Sequence, residues 1–170
     1  EELDTNDSVD LGGGTNTIRL QASNNIAANF TSPANDVSGS VFNVQQLELT
    51  TSGSGNADSH SVDVNGALGV GITTVIADLS NDTDDDATFD NVNNNSTVRV
   101  ASDNAGVAFS AASDTGDEEV TVDLQGVTFS SAGVDDSSNE FETVNVESNG
   151  GENDLGGQTV SITGADQVNI

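Results

Sequence analysis

FTSPANDVSGSVFNVQQLEL (Phe30–Leu49) and FSSAGVDDSSNEFETVNVES (Phe129–Ser148) read as two copies of one pattern. In each, two Phe stand twelve residues apart, Ser follows the first Phe by two, Asp by six or seven, and an alternating apolar run follows the second Phe. The chain has six Phe and these copies use four, so chance is a poor explanation. A second echo is TIRL (Thr17–Leu20), which returns as TVRV (Thr97–Val100) 80 residues on, whereas the Phe pair returns after 99. The difference predicts about nineteen added residues between Val100 and Phe129, as an extra hairpin or coil. Two β repeats follow from this, residues 1–80 and 81–170, with the polar run Ser80–Asn95 as the boundary.

Apolar residues elsewhere are mostly β-branched and alternate with polar ones, and Asn, Asp, Gly and Ser fill the gaps, which is strand-and-turn composition. No window carries a helical stripe. Short strand-like runs recur roughly every eight to twelve residues, a spacing that suits a solenoid or a sandwich. Without Trp or Tyr, two sandwiches of half the chain each would have thin cores. A solenoid tolerates thin cores because each coil buries its face against the next. The expected fold is therefore all-β, a parallel β-solenoid with internal duplication; two small β-sandwich domains are the alternative.

Two Lys+Arg oppose 29 Asp+Glu among 170 residues, a formal charge of −27. Such a chain repels itself unless cations screen or bind it. Nucleic-acid binding needs a basic footprint and is excluded. No apolar run is long enough to cross a membrane as a helix. There is no Cys, hence neither disulfides nor thiolate metal sites. The lack of an initiator Met and of a signal-like segment suggests a processed chain or a fragment.

Catalytic chemistry has little to stand on. The only His, His60, lies in a Ser/Gly/Asp stretch (residues 51–60) that reads as an exposed loop. Acids that could serve as a glycosidase pair are abundant, but no aromatic platform accompanies them. The chain is expected not to be an enzyme. Arg19 and Arg99, its only basic side chains, share one local frame and are expected to pair with carboxylates on their strand faces.

Acid-rich turns point to calcium, which takes six to eight oxygen ligands in flexible geometry. Asp82, Asp84, Asp85, Asp86 and Asp90 form one cluster, and Asp114, Asp117, Glu118 and Glu119 a second. Asp135 and Asp136 stand in the second Phe loop, where Asp36 is the first-copy counterpart; Asp154 follows Gly150-Gly151 with Glu152 and Asn153. No stretch fits an EF-hand loop. LGGGTNTIR (Leu11–Arg19) is a degenerate match to the nonapeptide of calcium-binding β-rolls, with Asn16 where the motif has Asp. N-x-S/T sequons at Asn6, Asn29, Asn81, Asn94 and Asn95 are candidate glycosylation sites.

VDLGGGTNTIRL (Val9–Leu20) and FETVNVESNGGENDLGGQTVSI (Phe141–Ile162) resemble repeats of bacterial surface-layer proteins and of large secreted RTX-type proteins. The resemblance implies non-catalytic β-rich modules that bind several calcium ions, leave the cell by type I secretion and assemble into sheets or fibres. It carries turn residues over to Gly12, Gly14 and Asn16. The expectation is an extracellular, cell-surface structural protein, calcium-stabilised and self-assembling into a surface layer or filament. The alternative is a calcium-stiffened adhesin or carbohydrate-binding repeat of a large secreted protein. Its expected partners are copies of itself and cell-surface polysaccharide.

Overall fold

The computed structural model describes residues 9–23, 41–52, 57–65, 71–79, 84–103, 106–129, 133–136, 141–155, 157–162 and 164–170. Val9–Asp10 (β1) pairs with Val41–Phe42 (β3). A seven-stranded sheet contains Thr17–Ser23 (β2), Gln46–Ser52 (β4), Thr74–Asp78 (β6), Ser96–Val100 (β8), Glu119–Gln125 (β10), Thr143–Asn149 (β12) and Gln167–Asn169 (β14). A five-stranded sheet contains Ser59–Asp63 (β5), Asp86–Val92 (β7), Gly106–Ala111 (β9), Val134–Asp136 (β11) and Val160–Ser161 (β13). Every pairing is parallel and the chain alternates between the two larger sheets, so the fold is a parallel β-solenoid.

Stacking puts chemically alike residues in columns. In the seven-stranded sheet one inward column runs Ile18, Leu47, Val75, Val98, Val122, Val146, and the next runs Leu20, Leu49, Ala77, Val100, Leu124. The five-stranded sheet turns Val62, Phe89 and Phe109 inward, and side chains of both sheets form one core cluster. Burying each such side chain contributes about 1.5–3 kcal/mol. The Phe of the second repeat copy close this core: Phe129 and Phe141 are buried, and Phe141 meets Phe109 edge to face with ring centroids 5.7 Å apart. Phe30 lies outside the described residues.

The returns to the seven-stranded sheet are unequal. One outward column runs Thr17, Gln46, Thr74, Thr97, Thr121, Asn145, Asn169, so successive coils take 29, 28, 23, 24, 24 and 24 residues. Arg19 to Arg99 is three coils, whereas Phe42 to Phe141 is four. The two offsets therefore differ because they count different numbers of coils, and no added segment is needed to account for them. The pairing of β6 with β8 carries the same sheet across residues 80 and 81.

Much of the acidic run after Ser80 is strand. In β7, Ala87, Phe89 and Val92 point into the core while Asp86, Thr88 and Asp90 face outward. A register shift between Phe89 and Val92 places Asn91 at φ 57°, a left-handed conformation that Asn tolerates better than most residues. The Asn91 amide then donates to Asp63 Oδ1 at 2.9 Å on the preceding coil.

Candidate functional site

Both arginines lie in one outward column: Arg19, Glu48, Ile76, Arg99, Asp123, Glu147. Each meets a carboxylate directly opposite on the next coil: Arg19 Nε to Glu48 Oε2 and Arg99 Nε to Asp123 Oδ2, both at 2.8 Å. Burial pushes the Asp123 carboxyl up. Hydrogen bonds from Asn149, Arg99 and Gln125, with the charge of Arg99, outweigh that and hold it below the usual range. Arginine thus serves coil stacking here, as its repeated frame suggested.

The expected metal residues fall in different places because neighbours along a strand face opposite ways. Asp85 is fully buried while Asp86 points outward; Asp136 is buried in the column of Val62, Phe89 and Phe109 while Asp135 is exposed. Burial, then the neighbouring Asp85 charge, raises the Asp86 carboxyl above its ordinary value. Asp90 accepts hydrogen bonds from the hydroxyls of Ser61 and Ser110. Asp84, Asp117 and Asp154 are exposed, and Asp82 lies outside the described residues. The Asn16 amide donates to the carbonyls of Gly12 (3.1 Å) and Asn43 (2.8 Å), knitting the turn before β2 to the following coil. Among the sequons, Asn6, Asn29 and Asn81 lie outside the described residues; Asn94 is exposed and its Oδ1 accepts the Glu119 N–H.

His60 departs from expectation. It lies on β5 rather than in an exposed loop, points into the core and has no solvent exposure. Its Nε2 is 3.1 Å from Asp85 Oδ2, while Asp85 Oδ1 accepts the Asp58 N–H at 2.8 Å. The chain returns over itself at this point, so a stretch that is polar in sequence becomes interior.

One cluster is brought together. Asp114, Glu118 and Glu142 have carboxylate oxygens all within 4.8 Å of one another. Asp114 and Glu118 belong to the turn before β10, and Glu142 to the turn one coil later, before β12. The Glu118 carboxylate folds back under its turn. It accepts the Thr115 hydroxyl and N–H, the Gly116 N–H (2.9 Å) and the Asp117 N–H (3.1 Å). The Thr115 hydroxyl, against the opposing effect of burial, and then these backbone donors hold its carboxyl down to about 2. Glu142 Oε2 accepts the Glu118 N–H at 2.8 Å. The sequence showed Asp114 and Glu118 as neighbours but not Glu142, whose proximity depends on the 24-residue coil.

Three ionised carboxylates this close repel each other without a cation. A carboxylate offers about four acceptor positions; the turn fills those of Glu118, so the free capacity for an ion in this cluster lies with Asp114 and Glu142. Oxygen-only donors from a turn suit a hard cation such as calcium. No described helix is long and apolar enough to cross a membrane. The chain matches no protein-family model, no curated protein and no solved structure.

Proposed function

We propose that the protein is a non-catalytic extracellular structural module, stabilised by calcium and self-assembling into a surface layer or filament. The observation that carries this reading is the cross-coil trio Asp114, Glu118 and Glu142. A calcium ion there would tie the coil of β10 to the coil of β12 and relieve repulsion in a chain of charge −27. The rest of the molecule supports a structural role. Its two arginines are spent on coil-to-coil pairs, and its columns repeat stacking contacts from one coil to the next.

Circular dichroism and light scattering of EDTA-treated protein during a calcium titration test this, beside a NaCl titration at matched ionic strength. Ordering by calcium alone, with scattering that rises as order appears, is the expected result. Asp114→Asn with Glu142→Gln should shift the calcium midpoint upward. Equal ordering by both salts would reduce calcium to general screening and remove the metal from this reading.

A further inference from the structure

The outward face of the five-stranded sheet carries a hollow of about 260 Å³ across its middle strands. Its shape follows from the register. Asp86 and Thr88 on β7 stand opposite Gly106 and Ala108 on β9, and Ala108 in turn stands opposite Asp135 on β11. Gly133, just before β11, completes the lining on that side. Glycine and alanine leave the space above these strands open, so the floor is backbone and one methyl group. Carboxylates stand at two diagonal corners. Crowding keeps the corner at Gly133 bare, because a Cβ there would meet the Thr159 backbone. We propose that this hollow binds an aliphatic ligand bearing two ammonium groups, one held at Asp86 and the other at Asp135, with its methylenes laid over Gly106 and Ala108.

Charge favours such a ligand. The hollow is lined by two carboxylates and the hydroxyls of Ser59 and Thr88, with no basic side chain among its lining residues. Both arginines of the chain lie on the seven-stranded sheet, each already bonded to a carboxylate. Asp86 is half-buried and takes a hydrogen bond from Ser59; burial, then the Asp85 charge, pushes its carboxyl up, so a cation brought to it relieves an existing cost. A neutral sugar would satisfy the hydroxyls and leave that charge uncompensated. Spacing favours two cationic ends. Two strand steps across the sheet and two residues along a strand set the backbones of Asp86 and Asp135 roughly 12 Å apart on the diagonal. That span suits a short aliphatic chain with an ammonium at each end. Size agrees, since the hollow is smaller than the roughly 300–1,000 Å³ of pockets that hold drug-sized ligands, and a slender ligand fits it.

Isothermal titration calorimetry of the 170-residue chain with cadaverine, in millimolar calcium and physiological salt, tests this. One site per chain is expected, with pentylamine and ethylenediamine binding roughly tenfold more weakly because neither reaches both carboxylates. Asp86→Asn and Asp135→Asn change outward-facing side chains. Each should keep the circular dichroism spectrum and weaken cadaverine roughly tenfold, the level of a lost hydrogen bond to a charged group. Ala108→Leu fills the floor and should weaken it as much without altering charge. Glu147→Gln removes a carboxylate from the outward face of the other sheet and should leave the affinity unchanged. Equal weakening by Glu147→Gln and by the two aspartate variants would overturn the site and reduce binding to general attraction by an acidic chain. Pentylamine that binds as tightly as cadaverine, or wild type that gives no binding heat, would also overturn it. So would a neutral disaccharide that binds more tightly than cadaverine and is lost in Asp86→Asn.

Discussion

His60 Nε2 lies 3.1 Å from Asp85 Oδ2, and neither side chain has any solvent exposure. The two are 25 residues apart, on β5 and in the turn that leads into β7 of the next coil. Removing one partner leaves the other buried without this hydrogen bond, which typically costs about 1–3 kcal/mol. His60→Ala and Asp85→Ala should each destabilise by that order in urea unfolding. His60→Leu with Asp85→Asn keeps the acceptor for the Asp58 N–H and should recover most of the loss. A single-variant cost below about 1 kcal/mol, the level of an exposed pair, would show that the contact does not hold the coils together.

The two arginine pairs share geometry and differ in burial. Arg99 is 38% exposed and its partner Asp123 only 5%, whereas Arg19 is 64% exposed. Arg99→Met leaves Asp123 nearly buried without its guanidinium and should cost about 2 kcal/mol, while Arg19→Met should cost under about 1 kcal/mol. Equal midpoints for the two variants in chemical denaturation would contradict this ranking.

Acid should loosen the turn before β10. The Glu118 carboxyl is lowered from 4.5 to about 2 by the Thr115 hydroxyl and backbone N–H groups, against burial. Its stabilising contribution is fully present above the unfolded value and is lost as pH falls from about 4.5 towards 2. Glu118→Gln should therefore flatten the acid limb of the stability profile while lowering stability near neutral pH. Unfolding midpoints across that range check it; an acid limb unchanged in the variant would remove Glu118 from the account. Asp86 carries the opposite sign. Its carboxyl is raised, chiefly by burial and then by Asp85, so Asp86→Asn should stabilise at neutral pH.

Gly133 is required by contact rather than by turn geometry. A Cβ there would sit 1.9 Å from the Thr159 carbonyl oxygen, which belongs to backbone on the adjoining coil. Val107 N–H also donates to the Gly133 carbonyl at 2.8 Å, so the segment is held from both sides. Gly133→Ala should destabilise by about 1–3 kcal/mol or more through forced backbone shifts. Thermal unfolding within a degree of wild type would show that the coils part here without cost.

The sequence by itself determined strands such as β2, β8 and β12 and their two faces, whereas β7 and the start of β5 were hidden in runs that read as polar loop. Alternation such as TVRV and TVNV is a local property, because successive side chains point to opposite sides whatever the partner strand is. It also determined that Arg19 and Arg99 hold equivalent places, since their shared frame reflects one column. Only the tertiary structure decided the coil lengths, and with them everything that depends on register. Loops that vary between coils set returns of 23 to 29 residues, so sequence offsets of 80 and 99 do not reveal that they span three and four coils. The same non-local stacking separates Asp85 from Asp86 and Asp135 from Asp136, draws His60 inside, and brings Glu142 to Asp114 and Glu118. Pairing one coil with the next is a contact between residues some two dozen positions apart, and no local pattern encodes which carboxylates it will place together.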